Sequence, residues 1–462
     1  MQKICKNKDS AFISERSPWY RRAPHGIMGA YARRHSGRRE EMTMNQVTAI
    51  LIGAGQRGMH AYAPYALQNP EELRFVAVAE PDPARREAFC ALHAIPPESA
   101  FDGYEALLEK PRMADLALVC TQDNQHARPA CLALEKGYHV LCEKPMSSDP
   151  AECASMAALA KKCGRSLTIC HVLRYSPFFR AIRGLVEEGA IGRLIHTTLT
   201  EHVGYWHFAH SFTRGNWRSA ARTSPMILQK SCHDMDILQW MHGSPCARVS
   251  SFGSLTYFRA ENAPAGSALR CLGCAAAPGC PWDAQKIYLD RSKPYTRWLR
   301  QVVAGDADAP DDAVIAALDA GDYGRCVFRC DNDVVDHQTV NLEFSDASTA
   351  SFVMCAFNAP GGRTIELMGT GGQILGDMEA GSIDVTDFLT GQTCAIRLET
   401  PSDGHGGSDE AMMRSVVDCV RRGEALPSAA DESVMSHLMA LAAEQSRLTG
   451  QVVEISRFAP EA

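Results

Sequence analysis

Three short stretches of the chain carry side chains that can take part in chemistry. Residues 53–58 read Gly-Ala-Gly-Gln-Arg-Gly, Lys144 follows Glu143, and His233 follows Lys230 by three positions. A glycine turn that opens a helix can hold a pyrophosphate on its backbone N–H groups. An ammonium group stabilises negative charge developing on an oxygen, and an imidazole takes up a proton near neutral pH. Nucleotide, cation and base together indicate hydride transfer.

The glycine turn lies in the context that a dinucleotide site requires. It ends the apolar run 47–52, which predicts a strand buried on both faces, and it precedes a predicted helix. The first glycine permits the tight turn, the second lets the pyrophosphate approach, and the third allows close helix–strand packing. We therefore assign cofactor binding to the turn residues Gly53, Gly55, Gln56, Arg57 and Gly58.

An acidic residue favours NAD over NADP. Glu80 ends the second predicted strand, where a carboxylate accepts hydrogen bonds from the adenosine ribose hydroxyls and repels a 2′-phosphate. Two arginines one turn into the next helix, Arg85 and Arg86, instead favour NADP. Alternatively, they form a solvated helix face.

Strands and helices alternate from residue 47 to about residue 170. This alternation predicts an α/β fold with a doubly wound parallel sheet. From about residue 172 the pattern changes, and strand-like runs with glycine turns between 334 and 377 predict antiparallel neighbours. An irregular, cysteine-containing insertion is expected at about 260–330. The predicted units are a basic extension at 1–44, a nucleotide-binding unit at 45–171 and a substrate or oligomerisation unit at 172–462.

Composition excludes several classes of function. The chain has 462 residues and a net charge of -7, which gives no global support for nucleic-acid binding. Residues 1–44 hold ten Lys and Arg against four Asp and Glu, and such a segment is expected to be disordered unless translation starts at Met42 or Met44. No run has the length of a membrane span, and no apolar stretch suggests a secretory signal. Eighteen cysteines without an export signal indicate the cytoplasm.

With these motifs taken together, residues 46–455 resemble the Gfo/Idh/MocA oxidoreductases. The Glu143-Lys144-Pro145 run is the most specific part of the resemblance. It implies an N-terminal Rossmann domain and a C-terminal α/β domain with an open, mostly antiparallel sheet, whose face commonly serves a homo-oligomer, here a dimer or tetramer. It also implies a sugar, polyol or related small-molecule substrate. A cis peptide before Pro145 is typical of the family.

The resemblance also assigns roles to single residues. His126 falls at a family position beside the nicotinamide, and Thr121, Glu143 and Lys144 are further candidate cofactor-binding residues. Many relatives carry an aspartate four residues before the histidine, but this chain has Gln229 there, followed by Lys230. This departure weakens the usual proton-relay assignment.

The expected chemistry is removal of a hydroxyl proton while hydride leaves the carbon. We assign His233 as the base, and Lys144 as the group that binds the same hydroxyl. Burial beside a second cation lowers a lysine pKa, so Lys230 is an alternative base. Alternatively, Lys230 is a solvated side chain or the ion-pair partner of Asp234.

A stretch rich in rings and charges predicts a substrate pocket, because aromatic faces stack on sugar rings and His or Arg side chains bind hydroxyls or anions. Packing of an ordinary loop is the alternative. The candidate substrate residues are Arg174, Tyr175, His207, His210, Arg214, Trp217, Arg218 and His405.

The insertion holds a cysteine cluster that can bind zinc through four ligands. Its alternative is a set of free thiols, since only one Cys-x-x-Cys pair is present. The proposed ligands of a structural zinc are Cys271, Cys274, Cys280 and Cys330.

Three functions fit these observations. The first is a NAD-dependent dehydrogenase acting on a CH–OH group of a sugar or polyol. The second is a NAD-dependent glycosidase that oxidises a sugar transiently, eliminates the aglycone, adds water and reduces the ring again. The third is a non-catalytic, nucleotide-sensing regulator, against which the presence of Lys144 and His233 argues.

Overall fold

The computed structural model describes residues 46–399, 407–424, 426 and 429–458. The basic extension at 1–44 and the candidate substrate residue His405 lie outside the described residues. Two sheets organise the described chain, one with six strands and one with nine. Among the described helices, none is both long and apolar enough to cross a bilayer.

The first sheet is parallel throughout, as the sequence predicts. Its strand order is β3-β2-β1-β4-β5-β6, so the order in which strands are added reverses between β1 and β4. In such sheets a ligand binds beyond the carboxyl ends of the strands, at the point of reversal. The strands are β1 (Val47–Ile52), β2 (Leu73–Ala79), β3 (Ala100–Phe101), β4 (Leu116–Val119), β5 (His139–Cys142) and β6 (Leu167–Ile169).

Helices cover both faces of this sheet, which explains why its strands are apolar on both sides. A seven-residue π-helix, Gln56–Tyr62, follows the glycine turn. The α-helices are α1 (Pro64–Gln68), α2 (Pro83–His93), α3 (Tyr104–Glu109), α4 (Ala127–Glu135) and α5 (Pro150–Cys163).

The second sheet is mostly antiparallel, with the order β14-β13-β12-β11-β7-β10-β9-β8-β15. The β7–β10 pair is the parallel exception. Its strands are β7 (Leu194–Gly204), β8 (Cys246–Ser254), β9 (His337–Phe344), β10 (Thr349–Asn358), β11 (Gly362–Gly369), β12 (Gly372–Asp377), β13 (Ser382–Asp387), β14 (Thr393–Arg397) and β15 (Val453–Glu454). Both sheets therefore confirm the predicted fold class.

Helices pack on one face of the second sheet and form its apolar core. They begin with α6 (Pro177–Glu187), α7 (Tyr205–Phe208), α8 (Met226–Gln229) and α9 (Cys232–His242). The insertion, predicted to be irregular, contains α10 (Ala284–Tyr288), α11 (Thr296–Ala304) and α12 (Asp311–Ala320). The prediction failed there because these helices are short and lie among turns rich in Gly, Pro and Asp.

Two helices complete the described chain, α13 (Ser408–Arg422) and α14 (Ala430–Thr449). They diverge: α14 packs on β8, α9 and α5, whereas α13 returns to the first sheet. Met412 and Val416 of α13 are fully buried in one apolar cluster with Val47 and Leu51 of β1. The last part of the chain therefore completes the core of the first sheet.

Candidate active site

The three glycines of the turn differ in what surrounds them. Gly53 has a φ of 95°, and a Cβ there would lie 2.6 Å from the Cys120 carbonyl oxygen. A Cβ on Gly58 would lie 2.3 Å from the Gly53 carbonyl oxygen. A Cβ on Gly55 would meet no atom within 4 Å. Gly53 and Gly58 thus allow close packing, while Gly55 leaves open space above the turn, as a pyrophosphate requires.

The Arg57 side chain connects this turn to two distant parts of the chain. Its Nε donates to Glu143 Oε1 at 2.7 Å, and its Nη2 donates to Asp409 at the start of α13 at 2.6 Å. Tyr62 also donates to Glu143. Burial alone would raise the pKa of Glu143, but the charges of Arg57 and Lys144 outweigh it and lower that pKa. The guanidinium therefore holds the turn in place and is not free to bind a phosphate.

Glu80 lies against the same turn. Its Oε2 accepts the Ala54 N–H at 2.7 Å, and its Oε1 accepts from Arg85 Nη2 at 2.6 Å. Arg86 donates to the Glu80 carbonyl oxygen at 2.5 Å. The carboxylate thus lies where the adenosine ribose is expected, but Arg85 neutralises part of its charge.

The loop after β4 contacts the lysine motif. The buried His126 ring lies between two carbonyl oxygens, with Nδ1 2.6 Å from Pro145 O and Nε2 3.1 Å from Thr121 O. Thr121 Oγ1 donates to Gln125 O at 3.0 Å. The peptide bond between Lys144 and Pro145 is cis. His126 therefore fixes the loop against the motif, and both ring nitrogens are engaged by the protein.

Lys144 follows the carboxyl end of β5 and reaches the second half of the chain. Its Nζ donates to the Gln229 carbonyl oxygen at 2.8 Å, across 85 positions of sequence. Its backbone N–H is held by Glu143 Oε2 at 3.0 Å. The Gln229 carbonyl ends α8, immediately before the residues that lead to His233. The ammonium group and the histidine segment thus meet at one place.

His233 lies in the first turn of α9 and is buried. Its ring packs edge to face on His171, with 6.1 Å between centroids. Burial, followed by the charges of Arg174 and Lys144, lowers the pKa of His171 well below its usual value. The neutral His171 ring thus packs on His233, and its Nε2 lies 3.7 Å from Asp236 Oδ1. Asp236 also pairs with Arg174, with 2.7 Å between their closest atoms.

A buried charge network includes Asp234, the residue after this histidine, and no local sequence pattern indicates it. Lys230 Nζ lies 3.2 Å from Glu201 Oε1. Arg363 bonds both Glu201 and Asp234, the latter at 2.6 Å. Burial lowers the pKa of Lys230, and Glu201 opposes that shift. The partner of Lys230 is thus Glu201 of β7, and not Asp234 as the sequence suggested.

Most predicted substrate residues have partners within the protein. Arg174 pairs with Asp236, Arg218 pairs with Asp331 at 2.9 Å, and the His210 ring stacks on Tyr323 with its Nδ1 3.0 Å from Tyr288 Oη. Burial lowers the pKa of His210 to about 3. His210 thus contacts the insertion, Arg218 pairs just beyond it, and Arg174 pairs with α9, so all three side chains are engaged by the protein.

The remaining members of that set lie nearer the lysine motif or in the aromatic core. Trp217 Nε1 donates to Asp123 Oδ1 at 3.2 Å, which joins the 215–224 segment to the loop after β4. Tyr175 is buried. His207 stacks on Trp206 at 5.3 Å between centroids. Arg214 is fully buried against the insertion and lines a cavity there.

The same cavity corrects the predicted cysteine set. Cys271, Cys274 and Cys280 line it together with Cys326, whereas Cys330 donates to the Cys326 carbonyl oxygen at 3.3 Å instead. Cys326 therefore replaces Cys330 as the fourth cysteine around the cavity. In the described part of the chain, no three His, Cys, Asp or Glu side chains are arranged closely enough to hold a metal ion.

Comparison with known proteins agrees with this architecture. The NAD-binding Rossmann-fold profile of the GFO_IDH_MocA oxidoreductase family matches residues 47–171, and its C-terminal alpha/beta profile matches residues 183–455. The chain belongs to the Gfo/Idh/MocA family. It is an NAD(P)-dependent oxidoreductase on that basis, and the resemblance inferred from the motifs is confirmed.

Sequence relatives are distant over the whole length. YteT of Bacillus subtilis, named as an oxidoreductase, is 23% identical over 360 residues, which are 72% of this chain and 79% of YteT. D-glucoside 3-dehydrogenase of Escherichia coli is 30% identical over 159 residues, 34% of this chain and 44% of that protein. The chain thus matches less than half of that dehydrogenase.

Solved structures share the fold at low identity. Levoglucosan dehydrogenase, in complex with NADH and levoglucosan, has a TM-score of 0.64 at 16% identity, covering 89% of this chain and 100% of that one. Aldose-aldose oxidoreductase from Caulobacter crescentus, complexed with glycerol, has a TM-score of 0.61 at 18% identity, with coverage of 89% and 100%.

Proposed function

We propose that this family member is a NAD-dependent dehydrogenase that oxidises a CH–OH group of a sugar, polyol or close derivative. The observation that carries the proposal is the bond from Lys144 Nζ to the Gln229 carbonyl oxygen at 2.8 Å. It joins the lysine at the nucleotide edge of the first sheet to the segment that bears His233. Relatives of this fold include proteins named for action on glucosides, levoglucosan and aldoses.

The bound nicotinamide supplies a hydride acceptor. Lys144 binds the reacting hydroxyl and stabilises negative charge on its oxygen. His233 takes the hydroxyl proton, and its packing on a neutral His171 ring avoids a repelling charge on that side. Lys230 is a poorer candidate base, because Glu201 at 3.2 Å favours its protonated form.

Two unpaired polar atoms near the lysine support a hydroxyl-rich substrate. Gln229 Oε1 and Ser231 Oγ are buried side-chain atoms without a hydrogen-bond partner among the described residues. Buried polar atoms normally have partners. Both lie between the Lys144 contact and His233 in sequence, where substrate hydroxyls would satisfy them. This supports Gln229 as a substrate-binding residue in place of the aspartate that many relatives carry.

NAD is the proposed nucleotide, since the buried Glu80 carboxylate is fixed against the glycine turn by Ala54. Its charge opposes a 2′-phosphate, although the pairing with Arg85 reduces this discrimination. We assign the described cofactor-binding residues as in the sequence analysis, but with Arg57, Glu143 and His126 acting by positioning the turn and the lysine motif.

The test is to incubate the protein and NAD with a panel of sugars, polyols and chromogenic glycosides. NADH absorbance and aglycone release are both measured for each compound. Substrate-linked NADH formation supports the dehydrogenase. NAD-dependent glycoside cleavage without net NADH would instead support the redox glycosidase, and nucleotide binding without turnover would support the regulator.

Substitution tests the assigned roles. Lys144→Met and His233→Asn should each lower kcat/KM by about 10²–10⁴-fold, a common range for such groups, with little change in NAD affinity. Lys136→Met, at an exposed lysine just before β5, is the matched control and should be neutral. Full activity in Lys144→Met would overturn the assignment.

We also infer self-association through the outer face of the second sheet. Phe252 of β8 and Leu375 of β12 are exposed there, 68% and 48% respectively, on the side away from the covering helices. Exposed large apolar side chains of this kind mark interfaces when they share a surface. Light scattering should give a dimer or tetramer, and Phe252→Asp with Leu375→Asp should shift it to a monomer. A monomeric parent protein would refute this inference.

A further inference from the structure

Four cysteines and one arginine surround a small cavity in the insertion. The cavity has a volume of about 20 Å³ and is lined by Cys271, Cys274, Cys280, Cys326 and Arg214. A space of this size holds one water molecule or one ion. The cavity lies outside the nucleotide turn and the lysine motif.

The backbone brings these cysteines together from two distant segments. Cys271 N–H donates to the Gly324 carbonyl oxygen, and Cys326 N–H donates to the Leu269 carbonyl oxygen, both at 2.9 Å. These bonds flank an antiparallel bridge between Arg270 and Arg325, so Cys271 and Cys326 lie diagonally across it, one on either side. The geometry does not depend on any ligand.

A tight turn adds the third cysteine. Cys274 N–H donates to the Cys271 carbonyl oxygen at 3.1 Å, and Gly273 has a φ of 75°. Cys280 follows the short 3-10 helix Ala277–Gly279. A Cys-x-x-Cys turn joined by two further cysteines is the ligand pattern of structural zinc sites.

Two of the sulfur atoms accept hydrogen bonds. Ala268 N–H donates to Cys274 Sγ at 3.3 Å, and Arg214 Nη2 donates to Cys271 Sγ at 3.4 Å. A neutral thiol is a weak acceptor, whereas charge strengthens such bonds. The Cys271 and Cys274 sulfur atoms thus each face an N–H group of the protein.

Arg214 is a buried cation that lacks an anion. Its Nε donates to the Arg325 carbonyl oxygen at 2.8 Å, and its Nη2 donates to the Trp282 carbonyl oxygen at 2.7 Å. Its Nη1 has no hydrogen-bond partner, and no carboxylate of the described residues pairs with the side chain. Asp283 lines the cavity too, but it caps α10 by accepting the Gln285 N–H at 3.3 Å. Burying an unpaired charge is costly, so a negative group is expected here.

We propose that Cys271, Cys274, Cys280 and Cys326 bind one structural Zn²⁺ as four thiolates, with Arg214 compensating the negative charge of the centre. Binding releases the four thiol protons, and the Zn(thiolate)₄ unit then carries two net negative charges. The sulfurs do not converge closely enough as they stand. Metal binding therefore requires these side chains to rotate about Cα–Cβ to other staggered rotamers.

The centre would order the segment that leads to the candidate active site. Arg214 ends the π-helix Ala209–Arg214, and Trp217 just beyond it contacts Asp123 in the loop after β4. Metal loss should therefore destabilise the insertion and loosen this contact. The metal has no place in the proposed hydride-transfer step.

Metal content tests the proposal on the full chain. Protein purified without chelators should contain about one zinc per chain, released by a mercurial reagent and measured with a chromogenic chelator. Cys326→Ser should lose most of the zinc, whereas Cys330→Ser, at a nearby cysteine outside the cavity, should retain it. Zinc retained in Cys326→Ser but lost from Cys330→Ser would overturn the ligand assignment.

Cobalt substitution avoids dependence on a variant that fails to fold. Co²⁺ exchanged into the parent protein should give the intense visible bands of tetrahedral thiolate coordination, and Zn²⁺ should remove them. Absence of both zinc and a thiolate–cobalt spectrum, with four reactive thiols or two disulfides in their place, would overturn the proposal. Substrate-linked NADH formation, measured in parallel, tests the proposed function separately.

Discussion

Replacing Glu201 with Gln should strongly destabilise the protein, because its carboxylate compensates two buried cations. Lys230 Nζ lies 3.2 Å from one oxygen, and Arg363 bonds the other. Glu201 is 3% exposed and the Lys230 side chain is 17% exposed, so water replaces little of the lost interaction. Arg363 keeps Asp234 at 2.6 Å, but Lys230 loses its close partner.

The expected loss is about 3–5 kcal/mol in the free energy of unfolding, the usual result of removing one member of a buried pair. The matched control is Glu343→Gln in the same sheet. Glu343 pairs with Arg248 at 2.5 Å, but the two side chains are 39% and 52% exposed. An exposed pair contributes about 0–1 kcal/mol, so this variant should be close to neutral.

The pH dependence gives a second measure of the same interaction. Burial already lowers the pKa of Lys230, and loss of Glu201 should lower it further. The folded variant then binds fewer protons than its unfolded chain between the two pKa values. Its stability should rise with pH in that window, so its deficit relative to the parent should be smaller at pH 9 than at pH 7.

Urea unfolding followed by tryptophan fluorescence, at both pH values, measures these quantities. A deficit below about 1 kcal/mol would show that Glu201 is not needed to compensate Lys230. A deficit that grows with pH would refute the reasoning about the lysine.

Three further outcomes follow from the geometry. Gly55→Ala should weaken NAD binding about tenfold or more (about 1.4 kcal/mol) and leave the unfolding temperature of the cofactor-free protein unchanged. Gly53→Ala should lower that unfolding temperature. Equal unfolding temperatures of the two variants in calorimetry would contradict the different surroundings of the two glycines. Glu80→Gln keeps an acceptor for Ala54 but removes the charge, and should raise the kcat/KM ratio of NADP over NAD; a falling ratio would be inconsistent with charge repulsion. Burial lowers the pKa of His210 and of His437 to about 3, so between pH 3 and about pH 6.5 the folded chain binds fewer protons than the unfolded chain. The free energy of unfolding should therefore fall as the pH drops below 6.5, by up to about 1.4 kcal/mol per pH unit for each histidine. A thermal unfolding temperature that is unchanged from pH 7 to pH 5 would argue against neutral buried rings.

The sequence predicted elements well where their signals are local. The alanine-rich stretch 150–163 predicts a helix, and α5 is observed there, because Asp149 caps its first turn and Gly164 ends it in the left-handed region. The apolar run 47–52, which predicts a buried strand, is likewise observed as β1. Strands β13 and β14 were missed because they are short edge elements with weak alternation.

The candidate site was predictable only in part. The glycine turn and the lysine motif carry their signal within a few residues. The Glu201–Arg363 contact depends on the pairing of β7 with β11, which no local pattern reveals. His210 and Arg214 suggested a substrate pocket by residue type, but their burial depends on how the insertion folds over them.

The contact between Arg57 and Asp409 spans 352 positions of the chain. Since α13 covers β1, a fragment that stops near residue 171 would expose the apolar face of the first sheet that α13 covers. Arg57 in the glycine turn would also lose its contact with Asp409. During synthesis the nucleotide half therefore stays incomplete until nearly the whole polypeptide has left the ribosome. Contacts between residues so far apart in sequence slow folding, and a chain released before they form is prone to aggregation. The Rossmann half is therefore not an independently folding unit.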